Sequence, residues 1–125
     1  MLLKDVVEAR DVLKKLGDQP CSPKLSYTIM KILKETDDNE RFYIEKYRNI
    51  MDECAVKNDD GTFKITDGLF QIQEDRKEQF DKSITELVTL EVDDVTRKIK
   101  LSDLNDSMSI TPSDMNRLDI FITEE

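Results

Sequence analysis

From Lys24 to Val56 the chain carries neither glycine nor proline, and along that stretch Leu25, Ile29, Ile32, Thr36, Tyr43, Tyr47, Ile50 and Cys54 recur at near-heptad spacing. Such a run predicts one long helix over 23–56, opened by Ser22 as N-cap and Pro23 in the first turn, where a missing N–H is harmless. The poor helix formers Thr36, Asp37, Asp38 and Asn39 interrupt the stripe, so a kink or short break there is the alternative to continuity. A stripe of roughly nine turns is longer than one 15-residue helix can cover, which predicts pairing with a second copy or higher assembly.

The other elements follow from local periods. Leu2, Val6, Ala9, Leu13 and Leu16 step by three and four and predict a helix over 2–16, with Gly17 as its C-terminal cap. Asn58-Asp59-Asp60-Gly61 is a turn, Thr62 to Thr66 alternates as a short strand does, and Asp67-Gly68 turns again, so 57–72 reads as a small hairpin or extended link. Lys77, Phe80, Ile84 and Leu87 restore the helical period over 74–91 and suggest a helix packed back along the long one. Val95, Arg97, Ile99 and Leu101 alternate with polar residues and predict a strand over 95–101, paired near Phe63 or Phe70. Thr111-Pro112-Ser113-Asp114 opens a short helix over 112–121. The expected fold is therefore mainly α with a small β element (α+β): an antiparallel long-helix hairpin, short strands and a C-terminal helix, in a single domain over 1–125.

Composition narrows the chemistry. The net charge of −9 disfavours general binding to nucleic-acid polymers or anionic membranes, because the summed field repels phosphate. No apolar run reaches the length of a membrane span or a secretory signal, which predicts a cytoplasmic protein whose Cys21 and Cys54 are free buried thiols. The absence of histidine removes the commonest general base and, with isolated cysteines, makes structural zinc improbable. Aligning Gly61 with the glycine of a calcium loop puts Val56 where the first carboxylate belongs and Asp67 where a bidentate glutamate belongs, so the acidic segment reads as a plain turn. Adjacent carboxylates such as Asp37-Asp38 and Asp93-Asp94 read as solvated surface in a chain with 28 acidic residues. Gly17, Gly61 and Gly68 form no phosphate loop. The sequence predicts no enzyme, no catalytic residue, no metal site and no cofactor.

One basic concentration stands out, Arg97-Lys98-x-Lys100. With Lys24 and Tyr27 at the entry to the long helix, these residues are the candidate site for a small anionic ligand, the tyrosines Tyr27, Tyr43 and Tyr47 being available for stacking. The competing reading is that the lysines blunt an exposed strand edge and the tyrosines pack between helices.

The order of Pro23-Lys24-Leu25-Ser26-Tyr27, the Lys57-Asn58-Asp59-Asp60-Gly61 turn, Lys98-Ile99-Lys100-Leu101-Ser102-Asp103-Leu104 and Ile110-Thr111-Pro112-Ser113-Asp114-Met115 resembles a group of small uncharacterised proteins of tailed bacteriophages and prophages. The resemblance implies a setting, the cytoplasm of a host bacterium, and no activity to transfer onto a residue. The function expected is a non-catalytic, oligomeric interaction or accessory protein. The alternatives are an anti-defence protein that sequesters a small nucleotide-like signalling ligand, and a virion assembly or structural component.

Overall fold

The computed structural model describes residues 1–104 and 108–124. Helix α1 spans Leu3–Gly17 and buries Leu3, Val6, Ala9, Arg10, Val12, Leu13 and Leu16. Helix α2 spans Pro23–Cys54; the Ser22 hydroxyl accepts the Leu25 N–H at 3.1 Å, satisfying one of the donors a helix start leaves orphaned. It ends two residues before the expected Val56 because Ala55 turns extended and bridges Ile72.

The helix runs unbroken through Thr36 to Asn39. Arg10 of α1 reaches this polar stretch, donating from Nη1 to the Thr36 hydroxyl and the Leu33 carbonyl, each at 2.7 Å, and pairing through Nε with Glu40. Thr36 in turn donates to the Ile32 carbonyl at 2.8 Å, and Arg41 pairs with Asp37 and Asp38. Thr36 and Asp37, which weaken the apolar stripe, thus help line the socket of a buried arginine.

Two helices in tandem cover α2. Arg10 lies beside Leu33 and Glu40 and Gly17 beside Ile29, so α1 runs antiparallel along the first half of α2. A 3-10 turn at Glu74–Arg76 leads into α3, Lys77–Val88, which runs antiparallel along the second half, with Gln79 bonded to Glu53. Helix α3 stops short of the expected Glu91 because the chain there joins the start of α1: Leu3 N–H donates to Leu90 O at 2.8 Å and Val92 N–H to Met1 O at 2.7 Å. The two ends of the long stripe are therefore covered within one chain, Leu25, Ile29 and Ile32 by α1 and Cys54, with Met51, on the α3 half, while Tyr43, Tyr47 and Ile50 between them are half-buried.

The expected strand over 95–101 contracts to β3, Ile99–Lys100, and its partner is not the Phe63 or Phe70 region but β4, Ile122–Thr123, in a parallel pair with Ile99 opposite Ile122. The apolar spacing explains the shortening. Val95 and Ile99 are buried while Arg97 and Leu101 are exposed, a period of four rather than two. Asp94 also takes the Val95 amide and Glu35 the Thr96 amide, so both leave the ladder. Leu101–Asp103 forms a 3-10 turn. Helix α4, Pro112–Leu118, is capped by the Thr111 hydroxyl and continues as a 3-10 turn over Asp119–Phe121 into β4.

The core is lopsided. Val6, Leu13, Leu16, Leu25, Ile32, Ile99, Leu118 and Phe121 form one buried cluster where α1, the first half of α2 and the C-terminal segment meet. At the far end Met51, Cys54, Ala55 and Leu87 are buried, and much of the remaining apolar surface faces solvent. Cys21 is half-buried rather than buried, its sulfur 3.0 Å from the Ser26 hydroxyl. No helix among the described residues is long and apolar enough to cross a membrane.

Candidate functional site

At the far end of α2 the chain forms a small β knob. Strands β1, Ile65–Thr66, and β2, Leu69–Phe70, pair antiparallel across Asp67-Gly68, both of which have positive φ (54° and 79°), the requirement of the tight turn that suits strand twist. Val56 braces its base: its amide donates to Gln71 O and its carbonyl accepts the Lys64 amide, both at 2.8 Å, while Gln71 N–H donates to Lys64 O. The second turn is held by Asp60, whose carboxylate takes the Thr62 hydroxyl at 2.6 Å and its amide at 3.0 Å. Those two hydrogen bonds hold the Asp60 carboxyl below its usual range.

Alternation places Ile65 and Phe70 on one face of this ribbon and Leu69 on the other. A four-residue ribbon has only one helix face to lean on, so apolar residues on both sides cannot all be covered. Phe63 and Phe70 pack edge to face at 5.9 Å beside Tyr43, Tyr47 and Met51, around a shallow pocket of about 200 Å³. Burial, then the neighbouring Tyr47 and Glu8, push the Tyr43 phenol up. Outside that contact Leu69 remains 73% exposed, Ile65 59%, Phe70 48% and Ile44 46%. Since Lys64 and Gln71 are a bonded pair, the next pair, Ile65 and Phe70, turns its N–H and C=O groups outward. Among the described residues, neither meets a backbone partner outside the ribbon. The reading of 57–72 from sequence, a small hairpin or extended link with a strand over Thr62 to Thr66, becomes a hairpin whose strands are Ile65–Thr66 and Leu69–Phe70, and it missed the exposed apolar surface; apolar residues on both faces of so short a ribbon were the available signal.

The five residues singled out from sequence lie at the other end. Tyr27 and Arg97 meet, the guanidinium carbon 5.1 Å from the ring centroid, and Lys31 stands 5.4 Å from the same ring. Lys24, one turn before Tyr27, pairs with Asp103 at 3.5 Å. Lys98 pairs with Asp94 at 3.2 Å, and Lys100 is exposed on β3. Burial opposes ionisation of Asp94, but the hydrogen bonds from Lys98 and the Val95 amide, with the Lys98 charge, together outweigh it and hold the carboxyl below its usual range. Tyr43 and Tyr47 stack on each other with centroids 6.0 Å apart and belong to the knob, not to this face.

A groove between α2 and the Glu91–Val95 segment gathers Glu35, Asp38, Glu91, Asp93 and Asp94, and among the described residues no three acidic or cysteine side chains converge as metal ligands do. Compared with known proteins, the chain matches no family model, no curated protein sequence and no solved structure.

Proposed function

We propose that this chain is a non-catalytic interaction protein that assembles with copies of itself, edge to edge, through the β1–β2 ribbon. The observation that carries the reading is the combination, at one braced knob, of outward-facing backbone groups at Ile65 and Phe70 with exposed Leu69, Ile65, Phe70 and Ile44. A strand edge pairs with another strand edge, and a patch that carries its own complement around a two-fold axis closes as a dimer. An isolated two-stranded ribbon is marginal, and joining two copies makes it four-stranded. Burying these half-exposed side chains gains on the order of 1 kcal/mol each. With Leu69 on the opposite face, six of them across a symmetric contact offset the cost of association with little to spare, so the assembly depends on concentration.

This surface replaces the one expected from the α2 stripe, whose two ends α1 and α3 cover. In the setting that the phage resemblance implies, such an assembly acts in the host cytoplasm as an accessory protein. Light scattering coupled to size-exclusion chromatography over a dilution series tests it. The wild-type chain is expected to pass from dimer to monomer on dilution. Ile65→Lys with Leu69→Lys, the two most exposed apolar residues of the ribbon, is expected to remain monomeric throughout, with an unchanged helical circular-dichroism melt. A wild-type monomer at the highest concentration, or a double variant that still dimerises, overturns the reading.

A further inference from the structure

We infer that the face formed by Tyr27, Lys31 and Arg97 binds a compact multivalent oxyanion of the di- or triphosphate class. The inference is independent of the distal ribbon and lies at the opposite end of α2. In a chain of net charge −9, this face inverts the local balance. Lys24 and Lys31 come from α2, Arg97 and Lys98 from the segment before β3, and Lys100 from β3 itself.

The carboxylates beside these cations are already engaged. Asp103 holds Lys24 and Asp94 holds Lys98. Glu35 accepts from the Thr96 amide at 2.9 Å and the Thr96 hydroxyl at 3.0 Å. Glu35 is bonded to neutral groups and keeps its charge, so the local surplus is two positive charges, shared among Lys31, Arg97 and Lys100.

Geometry turns that surplus into a receptor. The Glu35 clamp fixes Thr96 against α2, and the next residue, Arg97, is thereby laid over Tyr27. The ring draws in Lys31 from one turn further along the same helix, so two like charges are held within 5.4 Å of one ring centroid. Cation–π attraction sets their positions before any ligand arrives, which lowers the ordering cost of binding. A forked guanidinium beside an ammonium suits oxygens on more than one phosphoryl group, because arginine binds such groups bidentately and lysine adds a point charge. The ligand meets the cations and not the ring, whose surroundings Arg97 and Lys31 already occupy.

Inorganic pyrophosphate is the probe, titrated at low salt and followed by 31P line broadening and calorimetry. Saturable binding is expected, weakened about ten-fold, or 1.4 kcal/mol, by Arg97→Gln with Lys31→Gln. It should be little changed by Lys4→Gln with Lys82→Gln, which removes the same charge from exposed positions on α1 and α3. Arg97→Lys keeps the charge, loses the fork and is expected to fall between. Circular-dichroism melts verify that each variant is folded. Absence of saturation at millimolar pyrophosphate, equal weakening by the two double variants, or sulfate binding as tightly as pyrophosphate overturns the assignment. Oligomeric state is unaffected by these changes, so failure here is distinguishable from failure of the ribbon.

Discussion

Replacing Arg10 with alanine lowers the stability of the fold by about 3 kcal/mol, the lower end of what breaking a buried ion pair costs. Arg10 is 4% exposed, and its guanidinium meets the Leu33 carbonyl, the Thr36 hydroxyl and Glu40, with Asp37 at 3.7 Å. Truncation leaves those acceptors facing a cavity in the α1–α2 contact, and an unpaired buried acceptor is more costly than its hydrogen bond was favourable. The loss stays at the lower end because Glu40 is 19% exposed and keeps Lys14 at 2.9 Å. Urea denaturation checks this: the midpoint is expected to fall with the slope unchanged. A loss under about 1 kcal/mol shows that the guanidinium is not the tether of α1.

The same network predicts how the fold responds to acid. Burial alone pushes the Glu40 carboxyl up, but hydrogen bonds and charge from Arg10 and Lys14 outweigh it, and the carboxyl lies below its ordinary value of 4.5. A carboxyl with a folded pKa below its unfolded one binds its proton more readily when unfolded. Its contribution is therefore complete above 4.5 and disappears as the pH falls through 4.5 toward the folded value. The stability difference between wild type and Glu40→Gln, measured by urea denaturation, is expected to be greatest near neutrality and to shrink below 4.5. A difference that is constant with pH contradicts the pairing, since other carboxylates titrate in both proteins and cancel.

Much of the helical framework was legible because caps and periods are local. Ser22-Pro23 and Thr111-Pro112 start helices where they stand in the sequence, and Asp67-Gly68 turns the ribbon with the positive φ values such a pair tolerates. What eluded the sequence depended on residues far away. Arg10 interrupts an apolar stripe when read along the chain, yet it steps from Val6 to Leu13 on the buried face. Its burial is permitted only by Leu33, Thr36 and Glu40 on another helix. The same partner explains why the polar stretch at Thr36 does not break α2. The strand over 95–101 failed for a related reason: a two-residue parallel pair with the C-terminus leaves no periodic trace, and Val95 and Ile99 fit a spacing of four as well as one of two. At the candidate anion face, the proximity of Tyr27 to Arg97 depends on Glu35 holding Thr96, which no local motif announces. The distal ribbon was located, but its exposure follows from how little helix surface lies beside it.

Replacing Phe121 with alanine is expected to destabilise the C-terminal half of the core by about 4 kcal/mol, because a fully buried aromatic loses its transfer free energy and leaves a cavity. Phe121 is 0% exposed and shares the core with Ile99, Leu118 and the α1 residues Val6 and Leu13. Its effect should not stop at the cavity. Ile122, the next residue, pairs with Ile99 in β3, and the segment leading into β3 carries Arg97 onto Tyr27. Loosening Phe121 therefore frees the strand pair that anchors the proposed anion face, while the distal ribbon, braced by Val56 and Gln71, keeps its hydrogen bonds. Hydrogen exchange separates the two ends: protection of Ile99 and Lys100 should fall in Phe121→Ala, with the Val56 and Gln71 amides less affected, and pyrophosphate binding should weaken without a change in dimerisation. If protection instead falls equally at both ends, the molecule unfolds as one unit and the core at Phe121 supports the ribbon as much as it supports the anion face.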